Sequence, residues 1–435
     1  MTLSARDQQV IWHPYTQMQL SGPPIAIIKG EGAYLFDDTG KKYIDAVSSW
    51  WVNIHGHAHP YIAKKVAEQL NKLEHVIFAG FTHEPAVELA ENLLKILPDN
   101  QSKIFYSDNG STATEVAVKM AIQYWSNKGL KKNKIIAFEH AYHGDTFGAM
   151  SISARSGFTE PFESLLFDVI HIQLPTKGQE EKTIDNCRQA IGNYKNEIAA
   201  FIFEPLVLGA GGMLMYEADV LNNLIRICKE NSILVIADEV MTGFGRTGKY
   251  FACEYLDSQP DIICLSKGIT GGTMPLGVTS CTEEVFNAFL SNDRSKTFFH
   301  GHSYTANPVA CTAALASFEL LIKDECRQNI QRIEEMHLSF IEKNKNNPLF
   351  KNLRSRGTIL AMDFATDEQT SYFNPLRDKL YQFFLNKGVI LRPLGNTVYV
   401  MPPYCISNDD LGYIYSVIEY VKTIMYCIPM AGDKC

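Results

Sequence analysis

The stretch ILVIADEVMTGFGRTGKY, Ile233 to Tyr250, runs through five apolar residues into two carboxylates and then a glycine-rich loop. An apolar run without polar alternation predicts a strand buried on both faces, as in a parallel sheet. Asp238 stands where that strand ends. Similar runs lie on either side: KIFYS (Lys103 to Ser107), KIIAF (Lys134 to Phe138), AAFIFE (Ala199 to Glu204) and DIICLS (Asp261 to Ser266). Helical patterns separate them between about residues 100 and 310, so the chain reads as α/β, a mostly parallel sheet flanked by helices. After about residue 320 come long amphipathic helical patterns, then two β-like runs, GTILAMDFA and NTVYVMPPY. This predicts a large domain over 50–320 and a smaller α+β domain built from 1–49 and 321–435.

In an open α/β sheet the ligand sits beyond the carboxyl ends of the strands. The residues there are Asp108-Asn109-Gly110-Ser111, His140-Ala141-Tyr142-His143-Gly144, Glu204-Pro205, Asp238-Glu239 and Lys267-Gly268. In SDNGSTATEVAVKMA a strand end, a Gly-Ser-Thr turn and a helix follow one another. Free amides and the helix dipole at such a turn favour an anion, and Ser111 and Thr112 add hydroxyls. Plain helix capping by Asn109 or Ser111 is the alternative. The turn has neither GxGxxG nor GxxxxGK[ST], so it gives no support to dinucleotide or nucleoside triphosphate binding.

Asp238 needs a cationic partner if it is buried, and a protonated ring nitrogen or a lysine would serve. A capping Asp at a strand-to-loop turn is the competing reading. Lys267 follows another buried strand, and Gly268, Gly271 and Gly272 succeed it. In a low-dielectric pocket a lysine loses basicity and can form a Schiff base with a carbonyl cofactor, although a solvated lysine is the plainer alternative. Taken together, the three features describe a pyridoxal phosphate site. The phosphate would dock at Gly110 and Ser111, Asp238 would hold the pyridine nitrogen protonated, Lys267 would hold C4′, and Tyr142 would stack on the ring.

Composition narrows the partners to small molecules. The chain has 435 residues, a formal charge of −8 and a sequence pI near 5.9, with no long basic run, so nucleic acid is not an expected partner. No apolar run is long enough to cross a bilayer. The start, MTLSARDQQV, lacks the basic and apolar regions of a secretory signal, and ten cysteines without a CxxC pair suggest reduced, buried thiols; both predict a cytoplasmic protein.

At these motifs the sequence resembles the class III (ω) aminotransferases, in ADEVMTGFGRTGKYFACEY and PDIICLSKGITGG, and also in EHAYHGDT, FEPLVLGAGGM and GHSYTANPVACTAALA. The resemblance covers nearly the whole chain. It implies the type I pyridoxal phosphate fold, a homodimer with its active site at the subunit interface, and Ser303 reaching the cofactor phosphate of the other subunit. Within the class, WHPYTQM, DAVSSWWVNIHGHAHP and GVILRPLGNTVYVMPPY resemble the branch that aminates 8-amino-7-oxononanoate in biotin synthesis, in two half-reactions, with adenosylmethionine as amino donor. That branch assigns substrate contacts to Tyr15, Trp50, Trp51, Tyr142, Lys267 and Arg392. Aromatic rings can bury the methylenes of such a keto acid, and an arginine fork suits its distant carboxylate.

His55, His57 and His59 alternate, which could set three imidazoles on one strand face as a metal site. The class carries a similar Gly-His-Pro turn without metal, so these residues are expected to be loop hydrogen-bonders and no metal is expected. His302-Ser303 stands where relatives using adenosylmethionine have Pro-Thr, which leaves lysine open as the donor. Other ω-amino acid aminotransferases are the nearest alternative. Glu204 is expected either to pair with a gating arginine, as in some relatives, or to be a structural carboxylate.

Overall fold

The computed structural model describes residues 1–366 and 373–421. Its centre is a seven-stranded sheet in the order Gln101–Ser107, Gly277–Thr282, Ile262–Leu265, Leu234–Asp238, Ile198–Phe203, Lys134–Phe138 and Ile170–Ile172. Gly277–Thr282 is antiparallel to both neighbours, and the other pairings are parallel. All five nominated runs are strands of this sheet. Two members were not anticipated. Ile170–Ile172 is three residues long, too short for a periodic signal, and GVTSCT interrupts its apolar residues with threonine and serine.

Every residue of Leu234–Asp238 and of Ile198–Phe203 is buried, because helices cover both faces of the sheet. Ala218–Glu230 presents Val220, Leu221, Leu224, Ile225 and Cys228 at helical spacing and enters the core with that stripe. Gly110–Asn127 buries Ala113, Val116, Ala117, Met120 and Ala121 on the same pattern. The helix Pro308–Leu321 is apolar nearly all round and accordingly is buried on nearly every side.

Two smaller sheets complete the architecture. Phe350–Arg356, Ile359–Phe364 and Thr397–Val400 form an antiparallel sheet that includes both late β-like runs. Ile27–Glu31, Tyr34–Asp37 and Lys42–Asp45 form a meander to which Val389–Ile390 adds a parallel strand. The helical patterns after residue 320 are Asp324–Asn344, Leu376–Asn386 and Asn408–Tyr420. Among the described residues no helix is long and apolar enough to cross a membrane. Seven described cysteines are buried free thiols; Cys405 departs from the expectation and is exposed, because it lies in the loop after Thr397–Val400.

Candidate active site

The strand ends of the central sheet open into a cavity of about 450 Å³ lined by Gly110, Ser111, Tyr142, Glu204, Asp238 and Lys267, with Trp51 as an apolar wall. Asn109 caps the helix Gly110–Asn127: its side chain accepts from Thr112 N–H, and Thr112 answers through its own hydroxyl. The capping and anion-binding readings of this turn are therefore compatible. Among the described residues no hydrogen bond is made to the amides of Gly110 and Ser111, which stay at the cavity with the positive end of the helix. Ser111 Oγ accepts from Asp145 N–H at 3.2 Å, which leaves its proton for a ligand. Gly144 crosses Ser111 so closely that a Cβ there would meet Ser111 Oγ at 2.1 Å.

Asp238 Oδ2 lies 2.6 Å from His143 Nδ1, and Oδ1 accepts from Val240 N–H at 3.1 Å. Both side chains are buried. His143 is the residue of this site that sequence reasoning left without a role. Its place beside Tyr142 in the strand-end cluster AYHGD was the available signal, but the pairing spans 95 residues. His143 Nε2 is buried with no partner among the described residues.

Lys267 opens a short 3₁₀ turn, Lys267–Thr270, at φ 47°, a left-handed conformation unusual for a residue with a Cβ. Strain of this kind gathers at functional positions. Its Nζ lies 5.2 Å from the centre of the Trp51 ring. Burial pushes the Lys267 ammonium below its ordinary range, partly offset by the Asp238 and Glu204 carboxylates. This is the environment in which a lysine becomes a nucleophilic amine.

Glu204 is buried and accepts from the amides of Tyr142 and Gly209, at 3.0 and 2.9 Å. Desolvation raises its pKa to about 7; His143 opposes the rise and Asp238 adds to it. No arginine pairs with it among the described residues. It fastens the Tyr142 loop to the strand end.

Tyr15, Trp50 and Arg392 form a second cluster that joins the cavity through Tyr142. Tyr15 Oη is 3.2 Å from Tyr142 Oη and also donates to Asp145. The Tyr15 and Trp50 ring centres are 5.2 Å apart, and the Arg392 guanidinium lies 4.2 Å above the Trp50 ring. The two tryptophans therefore part company. Trp51 is buried with its Nε1 donating to Tyr399 Oη at 3.0 Å, whereas Trp50 is 36% exposed. Ser48, Ser49, Trp50 and Trp51 all have positive φ, from 45° to 73°, so this turn is left-handed. The conformation costs roughly 1–2 kcal/mol per residue. Anchors at either end hold it: Ser48 Oγ donates to Met401 O, and Trp51 is pinned by Tyr399.

Ser303 is exposed in the turn before Pro308–Leu321 and does not line this chain's cavity. His302 beside it accepts from Tyr304 N–H through Nδ1. His55 meets Ser317, and His57 meets Asp45 and Asn53. His59 precedes the helix Pro60–Lys72. Among the described residues no three His, Cys, Asp or Glu side chains converge as a metal site.

An anion seat, a buried carboxylate for a ring nitrogen and a low-basicity lysine around one cavity fit pyridoxal phosphate. Comparison with known proteins leads the same way. The family model "Aminotransferase class-III" matches residues 16–421. The chain is 47% identical to the adenosylmethionine-8-amino-7-oxononanoate aminotransferase of Synechococcus elongatus, over 94% of this chain and 97% of the relative. Its fold matches the crystal structure of the protein of that name from Methanocaldococcus jannaschii with TM-score 0.92, at 36% identity over 97% and 98% of the two chains. It also matches the omega transaminase of Pseudomonas jessenii in complex with PMP, with TM-score 0.91 at 28% identity, over 97% and 98%. With its mixed, mostly parallel sheet of the type I fold and a near-complete match to the family model, the chain belongs to the class-III aminotransferases.

Proposed function

We propose that this chain transfers an amino group from S-adenosyl-L-methionine to the ketone of 8-amino-7-oxononanoate, giving 7,8-diaminononanoate for biotin synthesis. The observation that carries this reading is the joining of a Lys267–Asp238 cavity to an aromatic and arginine cluster, in a chain so similar to relatives of that name.

Pyridoxal phosphate, when bound, supplies the aldehyde that takes up the amino group and a ring that accepts the electron pair released at the donor's α-carbon. The Gly110 and Ser111 amides and the Ser111 hydroxyl hold its phosphate. Asp238 keeps the ring nitrogen protonated, and His143 holds Asp238 in place. Tyr142 is the ring's aromatic neighbour. Lys267 Nζ would take the proton from the donor's α-carbon as general base and, as general acid, pass it to the cofactor's former aldehyde carbon, with the reverse transfer for the acceptor. Trp51 excludes water beside Lys267. Tyr15 and Trp50 wall the methylene chain, and Arg392 meets the distant carboxylate as a fork.

The reading includes a homodimer whose interface completes each site, with Ser303 serving the partner's cofactor phosphate. The exposed position of Ser303, outside its own cavity, supports this. So do the exposed side chains of Ile77, Phe81, Phe299 and Tyr304, apolar surface that a partner would cover. It also includes a cytoplasmic location and the division of the chain into 50–320 and 1–49 with 321–435. The pairing of Lys42–Asp45 with Val389–Ile390 supports that division.

The test is an absorbance titration of cofactor-loaded protein with adenosylmethionine and, separately, with lysine. Conversion to the amino form of the cofactor by adenosylmethionine, reversed by the keto acid, is expected. Conversion by lysine alone changes the donor. Conversion by neither overturns the reading.

A further inference from the structure

Ser111 and Glu115 stand one helical turn apart on the same face of Gly110–Asn127, and both meet the segment that follows Tyr142. Ser111 Oγ accepts from Asp145 N–H at 3.2 Å. Glu115 Oε1 accepts three times, from Thr146 Oγ1 at 2.6 Å, from Gly148 N–H at 2.7 Å and from Ala149 N–H at 3.1 Å. Gly144 and Gly148 are spaced to match: a Cβ on the first would collide with Ser111, and on the second with Glu115. The two amides belong to the short helix Phe147–Ile152, whose own N-cap residue, Thr146, makes no side-chain cap. Threonine ordinarily supplies one. Here its hydroxyl donates to Glu115, so the cap comes from the helix that carries the anion seat. An internal cap would hold this short helix together wherever it lay, whereas Glu115 holds it in one place relative to that seat. Asp145 adjoins Thr146, and its carboxylate accepts from Tyr15 Oη. Tyr15 Oη is in turn 3.2 Å from Tyr142 Oη, and its ring centre is 5.2 Å from that of Trp50.

We propose that Glu115 is a positioning residue for the substrate wall. It fixes the start of Phe147–Ile152 against Gly110–Asn127, this sets the adjoining Asp145, and Asp145 sets Tyr15. Glu115 does not line the cavity and acts only through these two residues. The inference rests on the proposed function, in which Tyr15 walls the methylene chain of the keto acid.

The experiment is a double-mutant cycle between Glu115 and Tyr15 on the holoenzyme. For each variant it measures KM and kcat with the keto acid, the dissociation constant for pyridoxal phosphate and the urea midpoint. Glu115→Ala should raise KM about ten-fold, the worth of one hydrogen bond to a charged group, with a much smaller change in kcat and with cofactor affinity kept. Glu115→Gln keeps an acceptor oxygen of the same reach and should restore most of the KM. Glu115→Asp withdraws the oxygens by about 1.5 Å and should act like the alanine variant, so it serves in the cycle if Glu115→Ala does not fold. Tyr15→Phe already cuts the link to Asp145, and in that background either substitution should add less than about two-fold. An equal rise in KM in both backgrounds overturns the inference alone, since Glu115 then does not act through Tyr15. A lower urea midpoint with unchanged KM overturns it too, because Glu115 is then only a helix cap. So does a loss of cofactor affinity that matches the rise in KM, which would assign Glu115 to the anion seat. Wild-type enzyme that does not aminate the keto acid overturns the proposed function, and this inference with it.

Discussion

Replacing Gly110 by alanine tests whether the first turn of Gly110–Asn127 holds an anion or is only a helix start. A Cβ at this position would lie 2.7 Å from Val240 Cγ1. Carbon atoms in contact ordinarily sit about 3.5–4.0 Å apart, so the helix start must retreat by about 1 Å. Val240 is buried two residues after Asp238 and has little room to move. The Gly110 and Ser111 amides retreat with the turn, and a hydrogen bond of about 2.9 Å lengthened that far is lost. One hydrogen bond to a charged group is worth about 1.5–3 kcal/mol, so the dissociation constant for pyridoxal phosphate should rise roughly 10- to 150-fold. The assay is titration of the apoenzyme with the cofactor, followed by absorbance, with circular dichroism to confirm folding. Adding Val240→Ala removes the obstructing methyl groups and should recover most of the affinity, a coupling that independent sites would not show. A folded Gly110→Ala variant with unchanged cofactor affinity, or a double variant no better than the single one, would refute the reasoning.

Lys267→Ala should bring turnover below detection, since no other amine among the cavity-lining residues can replace it; ordinary turnover in a steady-state assay would remove Lys267 from its role. Arg392→Ala should raise KM for the keto acid about 10- to 100-fold, the worth of a charge-assisted fork, with a smaller change in kcat; an unchanged KM would place the carboxylate elsewhere. His143→Ala leaves Asp238 buried without its ring partner and should cost the apoenzyme about 3 kcal/mol in urea unfolding. An unaltered midpoint would mean that the pair carries no such energy. Glu204 keeps its proton in the folded chain up to about pH 7, whereas an unfolded glutamate releases it near 4.5. The folded state therefore binds more protons in that window, and stability falls as pH rises through it, by up to about 3 kcal/mol. Glu204→Gln should flatten the melting temperature of the apoenzyme between pH 4.5 and 7; parallel curves for the two proteins would contradict the assignment.

The central strands were legible because burial on both faces writes itself as unbroken apolar sequence, and Asp238 and Lys267 were legible because they end such runs. Gly277–Thr282 escaped notice because it is a buried strand with threonine and serine in it. Thr279 and Ser280 satisfy their hydroxyls on Ala113 O and Gln101, partners from elsewhere in the chain. The left-handed turn at Ser48–Trp51 was equally hidden. It contains no glycine, and its energy is repaid by Met401 and Tyr399, which no local pattern foretells. The same long range separates the roles of Trp50 and Trp51, which as neighbours in sequence looked alike. His143 was in view but its role required knowing that two strand ends are adjacent.

Trp51 and its anchor Tyr399 stand 348 residues apart, and the strand Lys42–Asp45 waits for Val389–Ile390 over a similar span. At a synthesis rate of about 5–20 residues per second, the ribosome delivers the second member of each pair on the order of 20–70 seconds after the first. For that interval the meander has an unpaired edge, and the tryptophan turn lacks the contact that makes its backbone affordable. A nascent chain in this state offers a hydrophobic strand edge to its neighbours. The aromatic wall of the active site is thus among the last parts of the protein to be made permanent, and yield in a cell should depend on how well that early edge is shielded while the rest of the chain arrives.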